Sequence, residues 1–496
     1  MRVICVLNLM LVALATSARA TTIVPADLGE LSRDAVAIVH GRVADVRSQW
    51  TEDRGTVETI VTLEVEDYLK GGLGEIVRFR VPGGELGRYR TIVVGAPDFA
   101  VDQRVVVFLG AHGRRFRVGG GAADSGRGRD GCARRARRCG AASNSTRRLR
   151  AAGSDARRSG AMTRRWFARA IAIATLLAME AQPARAYLEF GVTAGGNQVK
   201  LRWPQAAVRY LVTNAGVPNV TVADFQAAIG RAFASWEAVP TASITYQFGG
   251  LTAALPGRDD GLTTLGFQNR PDLDRVLAAT NFVVDAATGA LIESDIFFNS
   301  AFPWSVAASG DANRFDLESI ALHEIGHLSG LGHSALGETE LRAGGGRVVT
   351  ASEAVMFPIA YAVGSIAGRT LKADDIAGIS DLYPTGDATS VYGSLSGRVT
   401  KNGAPIIGAH VVAFVPASRT MVASFTLNAQ GQFSIGAIPP GPRILRVEPL
   451  DDAEIDSFFD TSRPVDINFR VAFSDRIVIV PRGGDSGEVT IAVVAK

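Results

Sequence analysis

The segment "HEIGHLSGLGH", from His323 to His333, gathers three of the chain's six histidines into eleven residues. His323 and His327 are four apart, so on a helix they stand one turn apart on one face and can aim at a common ion. Glu324 follows the first of them, close enough to that face to reach a water held by the ion without being a ligand. Gly330 tolerates positive φ, so it can end the helix and reverse the chain, which lets His333 return to the same point. Three neutral imidazoles with an open fourth position form the donor set of a catalytic zinc, whereas structural zinc sites are closed by four protein ligands. The full HExxHxxGxxH spacing is far more specific than HExxH alone. The bland alternative is a histidine-rich helix without a metal.

Such a site needs a helix with a firm start and a sheet to lie on. "RFDLESIALHEIGHLSGLGH" reads as that helix, with Asp316 as its N-cap. "TVADFQAAIGRAFASWEAV" reads as another, capped by Thr221 or Asp224, with Phe225, Ile229, Phe233 and Trp236 at helical spacing on one face. "LKADDIAGISDLYP" is a last short helix, stopped by Pro384. "AVRYLVTNAG", "SITYQFG", "LTTLGFQ" and "NFVVDAATGALIESDIFFN" read as strands, the last a hairpin turning at Ala287–Gly289. An extended peptide is expected to pair with an edge strand around "ESDIFFN".

"HEIGHLSGLGHS" resembles the zinc signature of the metzincins, and specifically of the matrixin branch, in which Ser follows the third His as Ser334 does here. The resemblance runs roughly from Val208 to Pro384. It implies a zinc metalloendopeptidase with His323, His327 and His333 as metal ligands and Glu324 as general base. It further implies a Met-containing turn beneath the metal, supplied by Met356 and followed by Pro358, a final helix carrying Asp374 and Asp375, and an apolar pocket near Val355–Ala360. The gap from His333 to Met356 is longer than matrixins usually have, filled by "GETELRAGGGRVVTASEA". Tyr361, the tyrosine nearest the turn, is displaced from the family position and takes no assigned role. Calcium finds no clear ligand set: Asp259, Asp260, Asp285, Asp295 and Asp311 read as turn or surface carboxylates.

The remainder divides into flanking modules. Residues 1–20 read as an export signal, with Arg2, an apolar run and a small-residue cleavage site ending at Ala20. Residues 21–112 alternate as a small β-barrel or sandwich without a ligand cluster; His40 and His112 are isolated. Residues 113–161 carry 14 Arg, no Lys and three acidic residues among Gly, Ala and Ser, a composition that cannot bury a core. The tract reads as out-of-frame translation of a GC-rich gene. Residues 162–186 repeat the parts of an export signal, which would make Met162 the start of a second exported protein. The protease-like domain spans 187–386, a linker 387–391, and short strands over 392–496 read as a β-sandwich. That last segment resembles carboxypeptidase regulatory-like domains through "GSLSGRVTKNGAPIIGAHVVAF", an accessory role whose ligand the sequence does not give. The expected fold class is α+β: a metzincin-type catalytic domain, a twisted mixed sheet plus three helices, flanked by an N-terminal small β-domain and a C-terminal β-sandwich.

Composition narrows the function classes. The net charge of +3 comes from the Arg tract, because residues 187–496 hold 22 basic and 31 acidic residues, which argues against a nucleic-acid partner. Cys5, Cys132 and Cys139 all precede residue 187, so the protease-like part has no disulfide framework and no thiolate metal site. No apolar run gives a stable membrane span in the mature protease. The expectation is a secreted protein, extracellular or periplasmic and bacterial in type, acting on proteins or peptides with Zn2+. The rival is a non-catalytic surface adhesin or binding protein on a metzincin scaffold.

Overall fold

A computed structural model describes residues 22–23, 32–33, 35–112, 115–124, 189–194, 197–205, 207–273, 275–341, 347–450, 458–459 and 465–496. Both export signals and most of the Arg-rich tract lie outside the described residues. Three groups of strands follow one another along the chain.

The N-terminal group begins with β1 (Thr22–Ile23) and continues with β2 (Ala37–Trp50), β3 (Val57–Lys70), β4 (Ile76–Pro82), β5 (Gly84–Leu86), β6 (Tyr89–Val93), β7 (Arg104–His112) and β8 (Arg115–Asp124). β2, β3, β4, β8 and β7 close into a barrel, filled by alternate residues such as Val39, Val61, Leu63, Phe79 and Val107. Two expectations are corrected here. The β-module does not stop at residue 112, because β8 lies within the Arg-rich tract and completes the barrel between β4 and β7. Nor is the module a self-contained unit: β1, β5 and β6 leave the barrel and join the sheet of the following domain.

That domain contains β9 (Gly191–Ala194), β10 (Asn197–Lys200), β11 (Ala207–Thr213), α1 (Val222–Glu237), β12 (Thr245–Thr252), β13 (Thr264–Gln268), β14 (Val276–Asp285), β15 (Leu291–Asn299), β16 (Trp304–Ser305), β17 (Phe315–Asp316), α2 (Leu317–Leu328), β18 (Gly337–Leu341), β19 (Arg347–Ser352), α3 (Ala373–Leu382) and α4 (Ala388–Val391). The main sheet runs β12-β11-β13-β15-β14-β6-β5, with β1 also on β14. β14 is antiparallel to β15, and the pairs inside that hairpin are parallel. This is an α+β arrangement. β15 is therefore interior, and the domain's own strands leave two edges, on β12 and on β14. The placing of an edge at "ESDIFFN" is overturned, because β14 pairs along β15 from Leu291 to Phe298 on one side and β13 pairs with Ile296–Asn299 on the other.

α1 starts at a capping box between Thr221 and Asp224 and buries Phe225, Ile229, Phe233 and Trp236. These side chains form one core with Leu322, Ile325, Leu328 and Met356, so the apolar face of α1 carries α2. The long insertion after His333 folds into the β18–β19 hairpin. The expected linker at 387–391 is a one-turn helix, α4, held by Tyr392 N–H donating to Ala388 O at 2.8 Å.

The C-terminal group holds β20 (Gly393–Lys401), β21 (Ala404–Pro405), β22 (His410–Val415), β23 (Thr420–Phe425), β24 (Gln432–Ile438), β25 (Gly441–Glu448), β26 (Ala472–Phe473), β27 (Val478–Val480) and β28 (Asp485–Val493). They form two sheets, β21-β20-β24 with β28 and β23-β22-β25-β26 with β27, closed over Leu395, Val411, Phe433, Leu445 and Ile491. Among the described residues, no helix is long and apolar enough to cross a membrane.

Candidate metal centre

Asp316 caps α2 by accepting Ser319 N–H at 2.9 Å, and Arg369 holds the same carboxylate from outside, Nε to Oδ2 at 2.9 Å. The Trp236 indole donates to Leu322 O in mid-helix at 2.8 Å, and the Trp203 indole to Leu328 O at the far end at 2.9 Å. Tyr383 Oη donates to Ser329 O at 2.7 Å. The helix is therefore fixed by side chains from four other segments, carrying Arg369, Trp236, Trp203 and Tyr383. Neither tryptophan bond nor the tyrosine bond was foreseen, because each partner lies far away in sequence.

Gly330 has φ +104°, a left-handed conformation, and a Cβ there would come within 2.5 Å of Leu201 O. The chain reverses at this residue, and His333 comes back over the helix. The ligating nitrogens of His323, His327 and His333 lie within 4.8 Å of one another, and all three rings are buried. His323 Nδ1 lies 2.7 Å from Val355 O, and His327 Nδ1 2.7 Å from Leu331 O. A carbonyl only accepts, so each Nδ1 carries the proton and each Nε2 presents a lone pair. Those two Nε2 atoms lie 2.8 Å apart, so two lone pairs meet in one buried place where a cation would relieve their repulsion. Burial pulls His323 down to about 4, against the bond to Val355, and pulls His327 well below its ordinary value, with help from the neighbouring His323 and His333. The rings are neutral, as metal ligands must be. The three histidines fit a zinc site.

Glu324 is fully buried. Its Oε2 accepts from Thr280 Oγ1 at 2.7 Å, and its Oε1 accepts from Thr22 Oγ1 at 2.6 Å and Thr22 N at 3.2 Å. Burial pushes this carboxyl up to about 7, while the bonds from Thr22 and Thr280 pull it down. Neither threonine has a local sequence signal: Thr280 sits mid-strand in β14, and Thr22 is 302 residues away.

The turn below the histidines is organised by one carboxylate. Asp375 accepts Val355 N–H at 2.8 Å, Met356 N–H at 3.1 Å and Lys372 N–H at 2.8 Å. Met356 O in turn accepts Ser334 N–H at 2.9 Å. Asp375 thus fixes the backbone that orients His323 and anchors the residue after His333. Met356 and Pro358 are both buried in this turn. An added Cβ at Gly326, between the first two histidines, would fall on the Met356 sulfur and 2.9 Å from Trp236 Cζ2. Sequence reading passed over Gly326, although a glycine inside a helix was itself a signal. Asp374, also within reach of the Ser334 side chain, accepts Ala423 N–H of β23 at 2.8 Å, tying the centre to the C-terminal sheets. A cleft of about 570 Å³ opens beside His323, lined by Val355, Phe357, Ile359, Ala360, Tyr361 and Thr22.

The five loose aspartates are not brought to one point. Asp285 pairs with Arg88, Asp311 with Arg314, and Asp295 accepts three backbone N–H groups. Asp259 accepts from Thr56 and Thr91, and Asp260 Oδ1 from the backbone of Leu262.

The matrixin family model matches residues 202–384. Residues 202–384 are a matrixin domain. Across 203 residues the chain is 32% identical to Metalloendoproteinase 1 of Glycine max, covering 37% of this chain and 52% of that protein. It is 29% identical over 201 residues to Metalloendoproteinase 1-MMP of Arabidopsis thaliana, covering 37% of this chain and 45% of the relative. The chain thus spans about half the length of these two relatives. Among solved structures, the Bacillus anthracis TIE protein matches 21% of this chain and 17% of its own at 15% identity, with a TM-score of 0.14 that carries no argument. The matched range contains the three histidines, Glu324, Thr280, Met356, Asp374 and Asp375, but neither Thr22 nor the Ala423 partner of Asp374.

Proposed function

We propose that the chain is a secreted zinc-dependent metalloendopeptidase that hydrolyses peptide bonds in protein substrates. The observation that carries this reading is the convergence of His323, His327 and His333, with the Nδ1 protons of His323 and His327 committed to carbonyls and Glu324 following His323 in the same helix. When bound, zinc supplies Lewis acidity toward a water and a peptide carbonyl. His323, His327 and His333 hold it. Glu324 acts as the general base: it takes a proton from the attacking water at its carboxylate and passes it to the leaving amine. Thr280 keeps Oε2 in place, so the carboxylate need not reorganise as the proton arrives and leaves. The substrate backbone pairs with the β14 edge, and the cleft at Val355–Ala360 takes an apolar side chain. Export follows from the signal-like segments of the sequence, and the C-terminal sheets serve as an accessory module held on Asp374.

Hydrolysis of casein or gelatin by the purified chain, abolished by a chelator and restored by zinc, tests the reading. Glu324→Ala is expected to lower the rate by about 10²–10⁴-fold while leaving the zinc content unchanged. A zinc-loaded chain that cleaves nothing would instead be a binding protein on a metzincin scaffold.

A further inference from the structure

The carboxylate that must meet the attacking water is already engaged. Thr22 is 2% exposed and gives Glu324 Oε1 two hydrogen bonds, while Thr280 holds the other oxygen. Thr22 also lines the cleft beside His323. It arrives there as part of β1, antiparallel to β14 with Thr22 opposite Ala278 and Ile23 opposite Val276. Further along the same edge, β6 pairs from Asn281 to Asp285, and Val94 N–H donates to Thr280 O at 2.9 Å between the two. The β14 edge is thereby covered by the N-terminal module at both ends and between them. A peptide cannot add to it without displacing that module.

We propose that the N-terminal β-module (residues 22–124) is the resident inhibitor of the matrixin cleft, with Thr22–Ile23 laid where substrate backbone would lie and the Thr22 hydroxyl masking the general base. This rests on the endopeptidase reading and adds its regulation. The masking is directed at the carboxylate rather than at the metal, so it requires no thiol. The module is seated by contacts around the rim: Thr91 Oγ1 and Thr56 Oγ1 donate to Asp259 at 2.7 and 3.2 Å, and Arg258 pairs with Asp53 at 2.9 Å. The Arg258–Asp53 pair is about half exposed on both sides and adds little to stability, whereas Val94 of the module is buried in the core of the matrixin domain with Ile92 packed against it, so the hold on the edge is mainly apolar.

The test uses the full chain and a fluorescein-labelled peptide, TTIVPADL, corresponding to Thr21–Leu28. Thr22→Pro removes both the N–H and the hydroxyl that reach Glu324, and Thr22→Ser keeps both. Fluorescence anisotropy should show Thr22→Pro binding the peptide about tenfold more tightly than wild type, with casein hydrolysis about tenfold faster and Thr22→Ser unchanged. Thr22→Val, which keeps the strand and loses the hydroxyl, should move both readouts the same way by less, and it serves if the proline variant fails to fold. Equal peptide binding by wild type and variants would overturn the proposal, as would equal nonzero hydrolysis. If the peptide discriminates but no zinc-loaded chain cleaves casein, the N-terminal module still occupies the edge and the endopeptidase reading is the one that falls.

Discussion

Two regions of this molecule bury histidine equally well and to different ends. His323, His327 and His333 are 0–4% exposed, and His410 on β22 is 2% exposed. At the centre, the Nδ1 atoms of His323 and His327 meet backbone carbonyls, which are neutral and fixed by the fold. His410 Nδ1 instead lies 3.0 Å from the carboxylate of Glu448, and its Nε2 is buried without a hydrogen-bond partner among the described residues. Burial therefore does not distinguish a ligand from a packed ring. What distinguishes them is whether the second nitrogens converge, and convergence here depends on a helical i,i+4 pair followed by a left-handed glycine. The largest expected effect follows from this difference. His333→Ala should weaken zinc binding by at least about 100-fold and abolish hydrolysis, and His410→Ala should leave zinc stoichiometry, measured by elemental analysis, unchanged. Zinc loss on replacing His410 would break the comparison.

The same contrast applies one layer out. Asp375 acts on the centre through backbone alone, accepting the N–H groups of Val355 and Met356. Burial pushes it up to about 6 while those bonds pull it down. Asp375→Asn turns one acceptor into a donor facing donors. Zinc affinity should fall by about 10–100-fold with the histidines intact. A competition titration against a chelator of known affinity measures this, and a stability loss without any affinity loss would reduce Asp375 to scaffolding.

A smaller effect separates local from tertiary physics. Helix propensity alone makes Gly326→Ala stabilising by about 1 kcal/mol. Contact with Met356 and Trp236 predicts the reverse, because the new methyl has no room. Overpacking of this kind costs about 1–3 kcal/mol, so thermal denaturation should show a lower Tm. A raised Tm would mean that the turn at Met356 yields easily.

These cases also mark what the sequence could tell. The ligands, Glu324, the Asp316 cap and the apolar face of α1 were legible because each is written within one or two helical turns. Gly330 was legible because a metal site required a reversal there. The choice of "ESDIFFN" as the edge failed because β14 and β15 are both apolar and nearly fully buried, and strand order depends on pairings that alternation does not encode. β8 was hidden by a composition that argues against any core. Thr22, Thr280, Trp203 and Tyr383 were invisible for a common reason: each acts at a distance in sequence, through a hydrogen bond whose partner only the fold supplies.

The smallest effect returns to His410. Burial raises the Glu448 carboxyl, but the hydrogen bond and charge of His410 and the charge of Arg446 outweigh it, and the group is held below its ordinary value. A carboxyl depressed in the folded state contributes stability above its unfolded pKa, and that contribution is lost as pH falls through the folded value. His410→Gln removes the larger partner. At neutral pH the variant should be less stable by about 1 kcal/mol, a few degrees in Tm. As pH is lowered through the depressed folded-state value, Glu448 is protonated in wild type too, and the two melting curves should converge. If the gap between them stayed constant down to acid pH, His410 would be contributing packing rather than charge. The ring would then differ from the zinc histidines in the absence of a second ring to meet, and no longer in the kind of partner on its Nδ1.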